Sequence, residues 1–105
     1  MGRTKNIDKL KEFKKNISKE ITIQKMILFG SRAHGKPQRW SDFDIMMVSP
    51  EFRRKKFRYR ALGFHKYWVI DYPVDFLCYT PEEFNKLKKQ ITIVRDAVEN
   101  GIEIW

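Results

Sequence analysis

Lys25-Met26-Ile27-Leu28-Phe29-Gly30-Ser31 and Asp42-Phe43-Asp44-Ile45-Met46-Met47-Val48 decide the reading of this chain. Each holds a short apolar run bounded by turn residues, the pattern of a buried strand. Gly30 closes the first run and Ser49-Pro50 stops the second. Between them, Ser31–Gly35 reads as a helix start or tight turn and Lys36-Pro37-Gln38-Arg39 as a loop. Val74–Tyr79 is a third strand.

Outward from these strands, residues 1–6 read as a loose basic tail. Ile7, Leu10, Phe13 or Lys14, and Ile17 then recur at three- and four-residue spacing, which predicts an amphipathic helix over Asp8–Glu20. Glu51–Arg60 holds six Arg or Lys and one acid. Phe57, Ala61, Phe64 and Trp68 are spaced as one apolar stripe, so residues 51–66 read as a basic helix. Thr80-Pro81-Glu82-Glu83 is a strong helix start, and that helix runs to about Lys89. Thr92–Asn100 is another, with Ile91, Val94, Ala97 and Val98 inward and Gly101 as C-cap. Ile102–Trp105 is a short apolar tail, read as an edge strand. The expected class is α/β (α+β): a small mixed sheet with helices packed on it, in a single domain spanning 1–105.

Composition narrows the function. The chain has 105 residues, 22 Lys plus Arg against 13 Asp plus Glu, and a net charge of +9. A surface this basic favours anionic partners. No apolar run exceeds four residues, against about 20 for a membrane span, and the first fifteen residues carry no signal-peptide core. One cysteine, Cys78, permits neither an internal disulfide nor a cysteine metal cluster. Its apolar neighbours mark it as a buried, inert thiol. A cytoplasmic, reducing setting is expected.

The chemistry lies in three acids and a Gly-Ser pair. Residues i and i+2 of a strand face one side, so Asp42 and Asp44 project together, about 7 Å apart, while Phe43 and Ile45 point the other way. Asp75 sits in an equally apolar strand. Taken singly, each Asp reads as a strand cap or as the partner of a basic residue. Together, if their strands are neighbours, they read as ligands for a divalent cation, because apolar surroundings make unpaired carboxylates costly. Oxygen-only ligands select Mg²⁺ or Mn²⁺ over zinc. Two such ions support in-line phosphoryl or nucleotidyl transfer. Gly30 permits a sharp turn and close ligand approach. Ser31 at a helix start offers an anion site, although alone it reads as an ordinary N-cap.

Leu28-Phe29-Gly30-Ser31-Arg32-Ala33-His34-Gly35, then Ser41-Asp42-Phe43-Asp44-Ile45, then Val74-Asp75-Phe76, closely resemble the minimal nucleotidyltransferases of the DNA polymerase beta-like superfamily. The resemblance covers roughly residues 8–105, with Val94–Ile104 similar to the closing helix and tail. His34 stands where Arg is frequent, and Ile45 where Leu is frequent. The resemblance implies a nucleotidyltransferase fold with two Mg²⁺ ions. Asp42 and Asp44 would be shared metal ligands. Asp75 would hold the second metal and help deprotonate the attacking hydroxyl. Gly30 and Ser31 would hold the triphosphate of the nucleotide, ATP or another NTP; Arg32 reads as a further nucleotide-binding residue or, equally, as a solvated or structural one. It further implies transfer of a nucleoside monophosphate to a hydroxyl. Many members this small are antitoxins that bind a HEPN-type ribonuclease toxin in a hetero-oligomer, and some adenylylate it. A non-catalytic binding module on the same fold is the alternative.

Other residues stay open at this level. His34 reads as a phosphate contact or a surface residue, and Trp40 as a base-stacking platform or plain packing. Trp105 reads as a dimer anchor or core filler. The Arg53–Arg60 run is a solvated face, a surface for an acidic partner, or a nucleic-acid or phosphate contact. At this size, the acceptor-binding surface is expected from a partner or a second copy.

Overall fold

The computed structural model describes residues 2–33 and 42–105. His34, Trp40 and the expected loop at 36–39 lie outside the described residues. The elements in chain order are α1 (Gly2–Ile17), β1 (Lys25–Phe29), β2 (Phe43–Val48), β3 (Val74–Tyr79), α2 (Pro81–Leu87), α3 (Ile93–Asn100) and β4 (Ile102–Glu103). The strands form one mixed sheet in the order β3-β2-β1-β4. β1 runs antiparallel to β2 and β4, whereas β2 and β3 are parallel.

Strand alternation sorts the core onto two faces. On one face Met26, Leu28, Phe43, Ile45, Met47 and Cys78 pack with Leu10, Phe13 and Ile17 of α1 and with Phe52, Phe64 and Ile70 of the long β2–β3 crossover. Phe13 stacks on Phe76 and meets Trp68 edge-on. On the other face Ile27, Phe29, Met46 and Val48 pack under Phe84 of α2 and Val94 and Ala97 of α3. Cys78 is buried, and that burial pushes its thiol up to about 12, so it stays protonated.

α1 begins at Gly2 rather than near Asp8, which corrects the expected loose tail over 1–6. No proline follows Gly2, and Arg3 and Lys5 are good helix formers, so nothing local stops the helix from starting early. Its regular part ends at Ile17, and turns carry the chain on to Glu20.

The predicted basic helix over 51–66 is not formed. Short 3₁₀ turns at Pro50–Arg54, Phe57–Tyr59 and Phe64–Tyr67 take its place. Gly63 adopts φ +88° and the backbone at Lys55 and Lys56 is extended, so no helix propagates through either point. Phe52 fills the core, and Phe57, placed in the predicted stripe, is half exposed. Arg60, expected on a solvated or binding face, is instead buried. It donates to the carbonyls of Lys55 and Cys78 at 3.1 Å each and to both carboxylate oxygens of Glu83 at 2.6 and 3.2 Å.

Glu83 also closes the capping box that starts α2. Its carboxylate accepts from the Thr80 N–H at 2.8 Å, and Thr80 Oγ1 accepts from the Glu83 N–H at 3.1 Å. Thr92 caps α3, whose inward residues are Val94 and Ala97. Ile91 and Val98, expected inward, are exposed: Ile91 lies in the turn before the cap, and Val98 falls outside the narrow seam against β1. Gly101 is extended, not left-handed. A Cβ there would lie 2.6 Å from Ile27 Cγ2 and 2.9 Å from the Leu28 carbonyl oxygen, so glycine is set by the close passage over β1. β4 forms as the expected edge strand. Trp105 is 81% exposed, so it does not fill the core.

Candidate active site

The sheet's topology gathers the predicted residues at one end. β1 is antiparallel to β2, so its C-terminal end, Phe29, pairs with Asp44 near the start of β2. β3 is parallel to β2, so its start lies at the same end, and Asp44 stands directly opposite Asp75 in the ladder. The Phe43 N–H donates to the Pro73 carbonyl at 2.9 Å, which extends the pairing to the segment beside Asp42. Adjacent strands lie about 4.8 Å apart, so the Asp44 and Asp75 side chains are within reach of one shared ion. Asp42 lies just before β2, two residues upstream of Asp44.

Asp42 and Asp75 are exposed to solvent, and Asp44 is half-buried. Among the described residues, none of Asp42, Asp44 and Asp75 has a hydrogen-bond or ion-pair partner, in a chain with 22 basic residues. Burial, then Asp75, then Asp42, raise the Asp44 carboxyl above its ordinary range. Among the described residues, no three potential ligands are already closed around a single point. The donor set nonetheless fits a hard divalent cation: oxygen donors only, side by side, with their charges uncancelled. Asp42, Asp44 and Asp75 are the residues that would hold it.

Gly30 follows β1 at φ +76°, a conformation that disfavours other residues. Gly30–Arg32 form a 3₁₀ turn, closed by the Ala33 N–H on the Gly30 carbonyl at 3.1 Å. A cleft of about 410 Å³ opens here, lined by Phe29, Gly30, Asp44, Asp75, Leu77 and Ile93, among others. Asp96 on the first turn of α3 also lines it and accepts from Asn100 Nδ2 at 2.8 Å.

Arg32 is placed differently. Its guanidinium carbon lies 4.7 Å from the Phe43 ring centre and 4.3 Å from that of Tyr72. Phe43 belongs to the α1 face, so the stacked part of Arg32 sits across the sheet from the carboxylates. Sequence reasoning missed Tyr72, Ile93 and Asp96. Tyr72 carried no signal beyond being aromatic. Asp96 was hidden as an ordinary acid on a helix first turn, where it complements the helix dipole.

Residues 7–101 match the family model described as the nucleotidyltransferase domain. No curated protein matches the chain. Among solved structures, a protein from Sulfolobus solfataricus, itself only provisionally described as a nucleotidyltransferase, superposes with a TM-score of 0.68. It is 18% identical, and the match covers 98% of this chain and 82% of that one. A second structure with the same provisional description is 26% identical over 80% of this chain and 88% of its own, with a TM-score of 0.47. The first likeness shows that the mixed sheet with its covering helices is the nucleotidyltransferase fold. With the family model spanning all but the two ends of the sequence, the chain belongs to the nucleotidyltransferase domain family.

Proposed function

We propose that this chain moves AMP from ATP onto a hydroxyl of a protein partner, and that the partner is a HEPN-type ribonuclease toxin which this chain neutralises as its antitoxin. The observation that carries the catalytic part is the direct pairing of Asp44 with Asp75, beside the left-handed Gly30 turn. Transfer forms a bond from the acceptor oxygen to the α-phosphorus and breaks the bond to the pyrophosphate oxygen. Asp75 takes the acceptor proton. Gly30 and Ser31 hold the triphosphate against the end of β1. Divalent cations held by Asp42, Asp44 and Asp75, Mg²⁺ or Mn²⁺, would offset charge on the attacking and leaving oxygens. The protein-partner part rests on the family resemblance and on apolar residues left uncovered near the cleft: Ile91 is 95% exposed and Ile93, on the cleft wall, 50%.

The test is to co-express the chain with a HEPN-type toxin, purify any complex, and search the toxin by mass spectrometry for an added AMP. Modification that disappears with Asp42→Asn/Asp44→Asn supports the proposal. A second reading, neutralisation by contact alone, is favoured by the same uncovered apolar residues. It holds if that variant still binds and silences the toxin. A toxin that neither binds nor is modified overturns both.

A further inference from the structure

The segment expected to be a basic helix has become a site of another shape. Of its seven cations, three are taken up within the protein: Arg53 pairs with Glu82, Arg60 with Glu83 and Lys66 with Glu20. Arg54, Lys55, Lys56 and Arg58 remain. All four are exposed, and none makes an ion pair among the described residues. Two aromatic rings stand among them: Phe57 is 50% exposed and Tyr59 47%. Both rings are braced. Phe57 rests on Tyr79 at 5.6 Å between centroids, with the Arg60 guanidinium 5.5 Å from its ring centre, and the Arg58 guanidinium lies 5.3 Å from the Tyr59 ring centre. A groove of about 500 Å³ adjoins them, lined by Arg53, Arg54 and Lys55 together with Glu51, Pro50 and Phe52, among others; the Glu51 carboxylate there accepts from the Thr22 N–H.

Placement separates this patch from the catalytic cleft. Phe57 touches Tyr79 at the end of β3, whereas Asp75 lies at its beginning, about 13 Å away by strand rise. Packing covers about half of each ring, and a merely solvated face does not need the half left open. Cations without ion-pair partners, set beside half-exposed aromatic rings, are the chemistry of a single-stranded nucleic acid: phosphates meet the cations and bases stack on the open side of the rings. An acidic protein face would satisfy the charges but leave the rings unused.

We propose that residues 54–59 bind single-stranded nucleic acid, with Arg54, Lys55, Lys56 and Arg58 on the phosphates and Tyr59 and Phe57 beneath bases. The proposal does not depend on the catalytic reading, and Asp42→Asn/Asp44→Asn is expected to leave this binding unchanged.

The experiment is fluorescence anisotropy of the full chain with a labelled 12-nucleotide RNA of mixed sequence, across NaCl concentrations. Four phosphate contacts give a log–log salt slope near −3, or about a 50-fold loss of affinity between 50 and 200 mM. Arg54→Gln/Lys55→Gln/Lys56→Gln/Arg58→Gln should weaken binding at least about 30-fold at 50 mM and flatten that slope. The control Lys9→Gln/Lys11→Gln/Lys15→Gln/Lys19→Gln removes the same charge from α1 and its following turn, and should cost far less. Tyr59→Ala keeps every cation and should weaken binding about tenfold with the slope unchanged. Circular dichroism verifies that each variant is folded. Equal losses in the two Gln variants would overturn the site in favour of diffuse charge. Unchanged binding by Tyr59→Ala, with polyglutamate displacing the RNA at equal charge, would overturn it in favour of an acidic partner.

Discussion

The carboxylate of Asp44 occupies the space that a side chain on Gly30 would need. A Cβ at Gly30 would collide with Asp44 Oδ2 and stand 3.3 Å from its Cγ. The glycine therefore serves two needs at once, a left-handed turn and room for an acid.

Gly30→Ala tests that coupling. The left-handed backbone alone costs roughly 1–2 kcal/mol, a fall in Tm of about 5–10 °C for a domain this size. Nucleotide transfer should drop further than stability explains, at least about tenfold, because the Asp44 carboxylate is displaced. Calorimetry and a transfer assay on the same sample check both. Full activity would separate the glycine from the acid.

Asp44 also sets a pH and metal dependence. Its folded pKa is raised, so the folded state binds the proton more readily than the unfolded state does. The group therefore destabilises the fold fully above its folded pKa and not at all well below 3.8, its ordinary value. In EDTA at pH 7, Asp44→Asn should melt above the parent, and the gap should close as the pH falls through that range. Millimolar Mg²⁺ should raise the parent's Tm and leave the variant's nearly unchanged. Thermal melts across pH, with and without Mg²⁺, measure both effects.

Arg60 is a structural hub between the crossover and α2. Arg60→Lys loses the planar fork that reaches Glu83 and two carbonyls, and should cost about 2–3 kcal/mol. Glu83→Gln should cost less, because the Glu83 side chain is 41% exposed. Arg60, chiefly, holds the Glu83 carboxyl below its ordinary 4.5. The pair's contribution is therefore present above pH 4.5 and is lost as pH falls through the lowered value. Urea unfolding at pH 7 and pH 3 checks the sign.

Arg32 separates binding from structure. With its guanidinium stacked on Phe43 and Tyr72, across the sheet from the carboxylates, Arg32→Ala should lower the Tm by about 5 °C and leave the KM for ATP nearly unchanged. Tyr72→Ala, which removes one stacking ring, should reproduce part of that fall. A KM for ATP raised about tenfold at unchanged Tm would make Arg32 a phosphate contact instead.

How far the sequence was legible follows from the range of each interaction. The four strands, the Thr80 capping box and the two-sided alternation of Phe43 and Asp44 are local patterns, and they could be read directly. The helix over 51–66 failed because its stripe is spaced like a helix, while Gly63, the extended Lys55–Lys56 backbone and the long-range Arg60–Glu83 pair decide otherwise. Ile91 and Val98 failed because only packing shows how narrow the α3 seam is. At the candidate site, strand parity puts Asp42 and Asp44 on one side, but the facing of Asp44 and Asp75 depended on β2 and β3 being parallel neighbours, and the exposure of Asp42 and Asp75 is set by their place at the sheet's end rather than by their apolar neighbours in sequence. Asp96 and Ile93 reach the cleft only through the placement of α3, which no local pattern records.

The most direct measurement compares ATP labelled at the α-phosphate with ATP labelled at the γ-phosphate, in the presence of the acceptor and Mg²⁺. The account predicts that the α label moves to the acceptor, that the γ label leaves as pyrophosphate, and that Asp44→Asn and Asp75→Asn each abolish the transfer by at least about a hundredfold. Transfer of the γ label, or α-label transfer that survives loss of Asp44, would contradict it.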